Sequence, residues 1–99
     1  MTLLLRENDV KQLLTMPDAI DALETAFGDA GAGVAQNLTR QRIVQRTGVL
    51  HLLGGVVPSL DALGFKAYTA SAGGVRFSVN LYSAATGELL AVMEADWLG

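Results

Sequence analysis

The sequence predicts an α+β fold: two N-terminal helices followed by a mostly antiparallel sheet meander. Three observations predict it. Apolar residues recur at helical spacing through residues 7–30. From Gln36 onward the period drops to two, the spacing of a half-buried strand. Glycine-bearing turn signals then cut this second part at Thr47-Gly48, Ser71-Ala72-Gly73-Gly74 and Ala84-Ala85-Thr86-Gly87.

In chain order, Leu3–Leu5 reads as a short strand. Residues 7–14 follow as a helix, with Val10, Leu13 and Leu14 on one side and Glu7 and Asp9 at the positive end of its dipole. Thr15-Met16-Pro17-Asp18 is a helix start, because proline in the first turn forfeits no hydrogen bond. This second helix is expected to run to about Ala30, with Ile20, Leu23 and Phe27 inward and Asp18, Asp21 and Glu24 outward. Gly28, Gly31 and Gly33 mark its fraying end. Residues 39–45 alternate as a strand, with Arg40, Arg42 and Val44 on one face and Gln41 and Ile43 on the other. A turn at Thr47-Gly48 pairs them with residues 49–53 as a hairpin. A loop through Gly54-Gly55 to Asp61 leads into a strand at 64–69. Residues 75–83 alternate cleanly, and 88–94 form the last strand.

Ninety-nine residues make one small domain, here spanning 1–99. The chain is 51% apolar and only 17% charged, which leaves apolar surface for a partner subunit or a further domain. Without cysteine it has neither a disulfide framework nor thiolate zinc, and with one histidine, His51, no metal site is expected. The acidic residues of the second helix have the spacing of a solvated face, not of a calcium loop. No apolar run approaches a membrane span, and the opening lacks the basic start of a signal peptide, so a cytoplasmic setting is the expectation. A net charge of −3 with few aromatics argues against nucleic acid.

Charge is unevenly placed. Residues 34–80 hold five bases (Arg40, Arg42, Arg46, Lys66 and Arg76) and one acid, Asp61; the flanking segments hold the other acids. The sheet therefore gathers the positive charge, as a pocket for a small anion requires. Lys66 stands out, lying inside the apolar run Leu63-Gly64-Phe65-Lys66-Ala67-Tyr68, where an ammonium must find an anion or water. Arg42 and Lys66, expected on neighbouring strands, would supply a bidentate fork and a point charge for a carboxylate. Gly64, two residues before the lysine, leaves room for a ligand or for another backbone. Arg46 and Arg76 read as solvated rim residues. His51 reads as a strand residue with a possible acid–base role but no evident orienting partner. No serine carries a nucleophile motif, and Gly73-Gly74 does not open a helix as a dinucleotide loop does.

The run Arg42-Ile43 … Gly48-Val49-Leu50 … Leu63-Gly64-Phe65-Lys66, then Leu81-Tyr82 … Thr86-Gly87-Glu88-Leu89-Leu90-Ala91-Val92-Met93-Glu94-Ala95-Asp96-Trp97-Leu98-Gly99, resembles the ornithine cyclodeaminase/μ-crystallin family. The opening, Asp9-Val10 … Leu13-Leu14 … Met16-Pro17-Asp18-Ala19-Ile20-Asp21-Ala22-Leu23-Glu24, resembles that family's N-terminal helices. The resemblance implies an NAD(P)-linked enzyme acting on small amino acids, oxo acids or cyclic imines. It implies too that these residues are the N-terminal, substrate-binding and dimerisation portion, with the Rossmann domain absent from this chain. On that pattern Arg42 grips the substrate carboxylate. Lys66 lies beside the same carboxylate and the reacting carbon, where it can move a proton. The sequence departs from the pattern at Gly74 and Val75, where some relatives place a small polar residue and a histidine touching the cofactor. It departs again at His51, where the ornithine-specific enzyme is acidic, and this argues against ornithine.

Two readings follow. In one, the chain is part of an NAD- or NADP-dependent dehydrogenase, cyclodeaminase or imine reductase, interrupted after Trp97-Leu98-Gly99. It would then bind no cofactor and catalyse nothing alone. In the other, it is a truncated stand-alone module that binds small carboxylates or a partner subunit. Under both, self-association as a homodimer through the sheet is expected.

Overall fold

The structure, a computed structural model, describes residues 2–97; Met1, Leu98 and Gly99, the last two belonging to the terminal motif above, lie outside the described residues. Its elements are β1 (Leu3–Leu5), α1 (Glu7–Leu13), α2 (Met16–Gly31), β2 (Gln36–Asn37), β3 (Gln41–Gln45), β4 (Gly48–Val57), a 3₁₀ turn (Pro58–Leu60), β5 (Ala62–Ser71), β6 (Gly74–Ser83) and β7 (Leu89–Glu94). The fold is α+β, with two helices and a seven-stranded sheet.

The helices start where their first-turn chemistry places them. Asp9 accepts a hydrogen bond from the Arg6 N–H at 2.9 Å, closing the first turn of α1. Thr15 caps α2, its hydroxyl accepting from the Asp18 N–H at 3.2 Å, with Pro17 in the first turn. Gly28 and Gly31 stay within α2, and the chain turns out of it at Gly33, whose φ of +78° suits glycine.

The sheet runs β1-β7-β6-β5-β4, and both β2 and β3 line the outer edge of β4. β3 pairs with Gly48–Leu52 through Gln41↔Leu52 to Gln45↔Gly48, and β2 pairs further along at Gln36↔Val56 and Asn37↔Gly55. All pairs are antiparallel except β1 with β7, which makes the sheet mixed and brings Leu3 opposite Ala91. The expected meander holds from β3 to β7, and β1 is added parallel at its far edge.

Two expectations need correction. Residues 54–57 are not loop: β4 continues to Val57, with Gly54 and Gly55 opposite Phe65 and Gly64. Glycine here serves close approach, since a Cβ on Gly55 would lie 2.8 Å from the Gln36 carbonyl oxygen. The connection to β5 is the 3₁₀ turn, ending on Asp61 in the left-handed region (φ +50°). Second, Ile20, Leu23 and Phe27 do not face inward; they are 55%, 54% and 71% exposed. Helical spacing sets which side chains share a stripe, not what that stripe meets. α2 is held instead near its C-terminal end, where buried Asp29 accepts the Ser59 N–H at 2.9 Å and a hydrogen bond from the Ser59 hydroxyl.

α1 covers the β1–β7 edge, where Val10 is buried beside Leu5 and Met93. Glu7 ties this helix to the chain leaving β7: its carboxylate accepts the Asp96 N–H at 3.0 Å and the Trp97 N–H at 2.6 Å. Glu94 answers by accepting the Glu7 N–H at 3.2 Å. Trp97 remains 58% exposed, with the Lys11 ammonium 5.7 Å from its ring centre. The enclosed core is thin. Val10, Ala91 and Ala95 are the buried apolar residues among those described, and no large side chain is fully enclosed.

Candidate functional site

Register decides which side chains share a face of the sheet, because directly paired residues point the same way and neighbours alternate. Arg42 pairs with His51, His51 with Tyr68, and Tyr68 with Phe77. Two residues along, Leu53 pairs with Lys66 and Lys66 with Val79. Arg42, His51, Lys66, Tyr68 and Phe77 therefore stand on one face, the side on which α1 packs further out.

Arg42 and Lys66 share this face but are not on neighbouring strands, contrary to the expectation; β4 lies between β3 and β5. Two strand spacings and two residues of offset put their Cα atoms about 12 Å apart. Two long cationic side chains can close that gap on a small anion. Arg42 is exposed and Lys66 half-buried. Arg46 lies in the β3–β4 turn, and Arg76, paired with Thr69, points to the opposite face. Both are exposed, as rim residues should be.

From Arg42 a row of rings runs across β4, β5 and β6, with Lys66 beside it on β5. The His51 and Tyr68 centroids are 4.4 Å apart with planes 14° from parallel, and Tyr68 and Phe77 are 4.7 Å apart at 31°. Ring centres separated by about one strand spacing cannot lie flat side by side, so the rings stand upright on the sheet, stacked like books. The Lys66 ammonium sits 5.2 Å from the Phe77 ring centre and 6.0 Å from that of Tyr68. Such contacts soften the cost of a half-buried cation, but they do not neutralise it. Among the described residues, no strand position on this face holds Asp or Glu.

His51 feels these surroundings. Desolvation first, then the charges of Arg42 and Arg40, hold its pKa below the ordinary 6.5. Its Nδ1 is buried without a hydrogen-bond partner. Beside Lys66 lies a shallow recess of about 360 Å³, bordered by Asn37, Leu53, Gly55, Gly64 and Val79. Of the two possible occupants for the space at Gly64, the structure contains the backbone: a Cβ there would collide with the Asn80 carbonyl oxygen.

Sequence reasoning missed the ring row. The signal was available: a two-residue turn at Ala72-Gly73 forces Ser71 opposite Gly74, and counting back puts Tyr68 opposite Phe77.

The chain also matches solved structures along nearly its whole length. A probable ornithine cyclodeaminase from Bordetella pertussis Tohama I superposes with a TM-score of 0.92 at 33% identity, over 99% of this chain and 32% of that one. The chain resembles the ornithine cyclodeaminase/μ-crystallin family along nearly its whole length. An archaeal alanine dehydrogenase dimer with bound NAD gives 0.88 at 28% identity, over 98% of this chain and 32% of that one. The Thermococcus litoralis Δ1-pyrroline-2-carboxylate reductase, in complex with NADH and L-proline, gives 0.87 at 25%, over 98% and 33%. The chain thus spans about a third of the length of these proteins. No family model and no curated protein sequence matches it.

Two of these structures carry a nicotinamide dinucleotide, so the fit of the present residues to one can be examined. A dinucleotide diphosphate is held by a glycine-rich turn from a strand into a helix N-terminus. Among the described residues the β1–α1 junction, Leu5-Arg6-Glu7, has no glycine and opens its helix with an acid. These residues do not form such a cradle. No group of three or more metal-ligating side chains occurs among the described residues, and none of their helices is long and apolar enough to cross a membrane.

Proposed function

We propose that this chain is the N-terminal, substrate-side part of an NAD(P)-dependent enzyme of the family, an amino acid dehydrogenase, cyclodeaminase or cyclic imine reductase. The observation that carries the reading is a sheet face whose described strand positions hold no acid, on which Arg42 and Lys66 stand beside a stacked row of rings. Arg42 offers a planar fork for a substrate carboxylate. Lys66 adds a second positive charge and is the group to move a proton at the substrate nitrogen next to the reacting carbon. The described residues form no diphosphate cradle, so in this reading NAD or NADP is held by another part of the enzyme and would supply or accept the hydride. The L-proline complex of the Thermococcus litoralis reductase supports a small amino acid or imine carboxylate as ligand.

The same part is the subunit contact. Sheet and helix faces expose apolar side chains widely, Ile43, Val44 and Phe27 among them, and the archaeal relative is described as a dimer. If no further portion is translated, the face would bind carboxylates without converting them; the reading frame past codon 99 separates the two cases.

The test is binding of pentanoate to the 99-residue chain, followed by NMR. Arg42→Ala and Lys66→Ala should each weaken it by roughly tenfold to a hundredfold, as loss of a charged hydrogen bond does. Affinity unchanged in both variants would remove these side chains from the site.

A further inference from the structure

We infer that this site selects carboxylates whose tail beyond the α-carbon carries no positive charge, and that His51 sharpens a selection set by Arg40, Arg42 and Lys66. The inference rests on the carboxylate reading above and narrows it: dicarboxylates and acids with an uncharged tail enter, and diamino acids are refused.

The face itself argues for this. A carboxylate shared by Arg42 and Lys66 leaves its tail over His51 and Leu53, the β4 residues in register between the two cations. A second ammonium placed there meets three cations, Arg40, Arg42 and Lys66, and no anion on the strands of this face. The acids of α1 and of the chain leaving β7 are engaged with backbone amides, Glu7 with those of Asp96 and Trp97, Asp9 with that of Arg6, and Asp96 with that of Phe77 at 2.8 Å. Asn37 and the Tyr68 hydroxyl could offer a neutral oxygen, which does not offset like-charge repulsion on a partly desolvated surface.

The imidazole adds a directional preference. Its Nδ1 is enclosed with nothing to accept a proton from it. Buried N–H groups without a partner are rarer than unused acceptors, so the proton of the neutral ring belongs on Nε2. The stack on Tyr68 fixes the ring plane, leaving Nε2 as the nitrogen a ligand can reach. His51 then presents a donor. A donor rewards a carboxylate or carbonyl oxygen and gives an ammonium nothing.

Three probes of one five-carbon skeleton test the inference: pentanoate, glutarate and 5-aminopentanoate, titrated into the 99-residue chain and followed through the His51 and Tyr68 ring protons. Glutarate should bind at least as tightly as pentanoate, and 5-aminopentanoate about tenfold more weakly or worse. His51→Phe, which keeps a ring on Tyr68 and the three cations, should shrink the advantage of glutarate over pentanoate by the part the Nε2 donor supplies. His51→Glu should invert the order, with 5-aminopentanoate ahead of glutarate. Wild-type binding of 5-aminopentanoate equal to that of pentanoate would overturn the selection while leaving the carboxylate site standing. Selection that survives His51→Glu unchanged would overturn the role given to His51. If none of the three binds, the carboxylate reading falls and this inference with it.

Discussion

At the scale of single residues, the site is held by contacts that leave little slack. Gly64 is the sharpest case, because the Asn80 carbonyl of β6 occupies the space a side chain would need. Gly64→Ala should destabilise the chain by about 1–3 kcal/mol, the usual cost of overpacking, read from the urea midpoint. An unshifted midpoint would mean that β6 moves aside freely. The sequence marked Gly64 as a position needing space, but glycine alone cannot say whether a ligand or a backbone fills it. Titrating residues give a second prediction. The pKa of His51 is depressed below 6.5 by desolvation and by Arg42 and Arg40, so the folded chain binds its proton less readily than the unfolded chain. Asp29 is lowered below 3.8 by the Ser59 hydroxyl and amide, and Asp61 by the Ala85 amide and the Ser83 hydroxyl. For a lowered pKa, the unfolded state takes up protons first on acidification. Stability should therefore be complete above pH 6.5 and fall in a first step as His51 is protonated in the unfolded chain. A second step should begin near 3.8 from the two aspartates. Denaturation midpoints across pH should show both, and His51→Phe should erase the first while leaving the second.

At the scale of elements, local chemistry made most boundaries legible and packing direction was not. Thr15 with Pro17 placed the start of α2 to within a residue, and the glycine turns placed the hairpins. Parity then put Arg42, Lys66 and Tyr68 on sides that register later brought together. What failed was adjacency: a strand reads as nearest to its sequence neighbour, and here β4 had to lie between β3 and β5. The Gly54-Gly55 pair failed for a related reason, because composition reads it as a breaker while pairing on both sides uses it for close approach. α2 shows the limit best. Its apolar stripe is genuine, yet the helix is secured through one buried carboxylate rather than through that stripe. Asp29→Ala should cost about 1–3 kcal/mol by leaving the Ser59 amide unpaired. It should also speed amide hydrogen exchange across α2 more than across β5. Equal protection of α2 in the variant and the parent would show that other contacts hold the helix.

At the scale of the whole molecule, surface area carries the argument. A compact monomer of 10.4 kDa should expose about 5,400 Å², yet this chain exposes 6894 Å². The excess, about 1,500 Å², is nearly twice the 800 Å² or so that each partner buries in a standard interface. Much of it is apolar, and at β3 it borders an unpaired strand edge where Ile43 and Val44 are 61% and 70% exposed on opposite faces. An apolar edge strand of this kind recruits another sheet. The chain should therefore self-associate at micromolar concentration, with a mass near twice 10.4 kDa in sedimentation equilibrium. Ile43→Lys together with Val44→Lys places a charge on each face of that edge and should raise the dissociation constant at least about tenfold. A monomeric parent at high concentration would refute association. A double variant that dimerises as tightly as the parent would move the contact away from the sheet edge, leaving the stripe of Ile20, Leu23 and Phe27 on α2 as the surface to alter next.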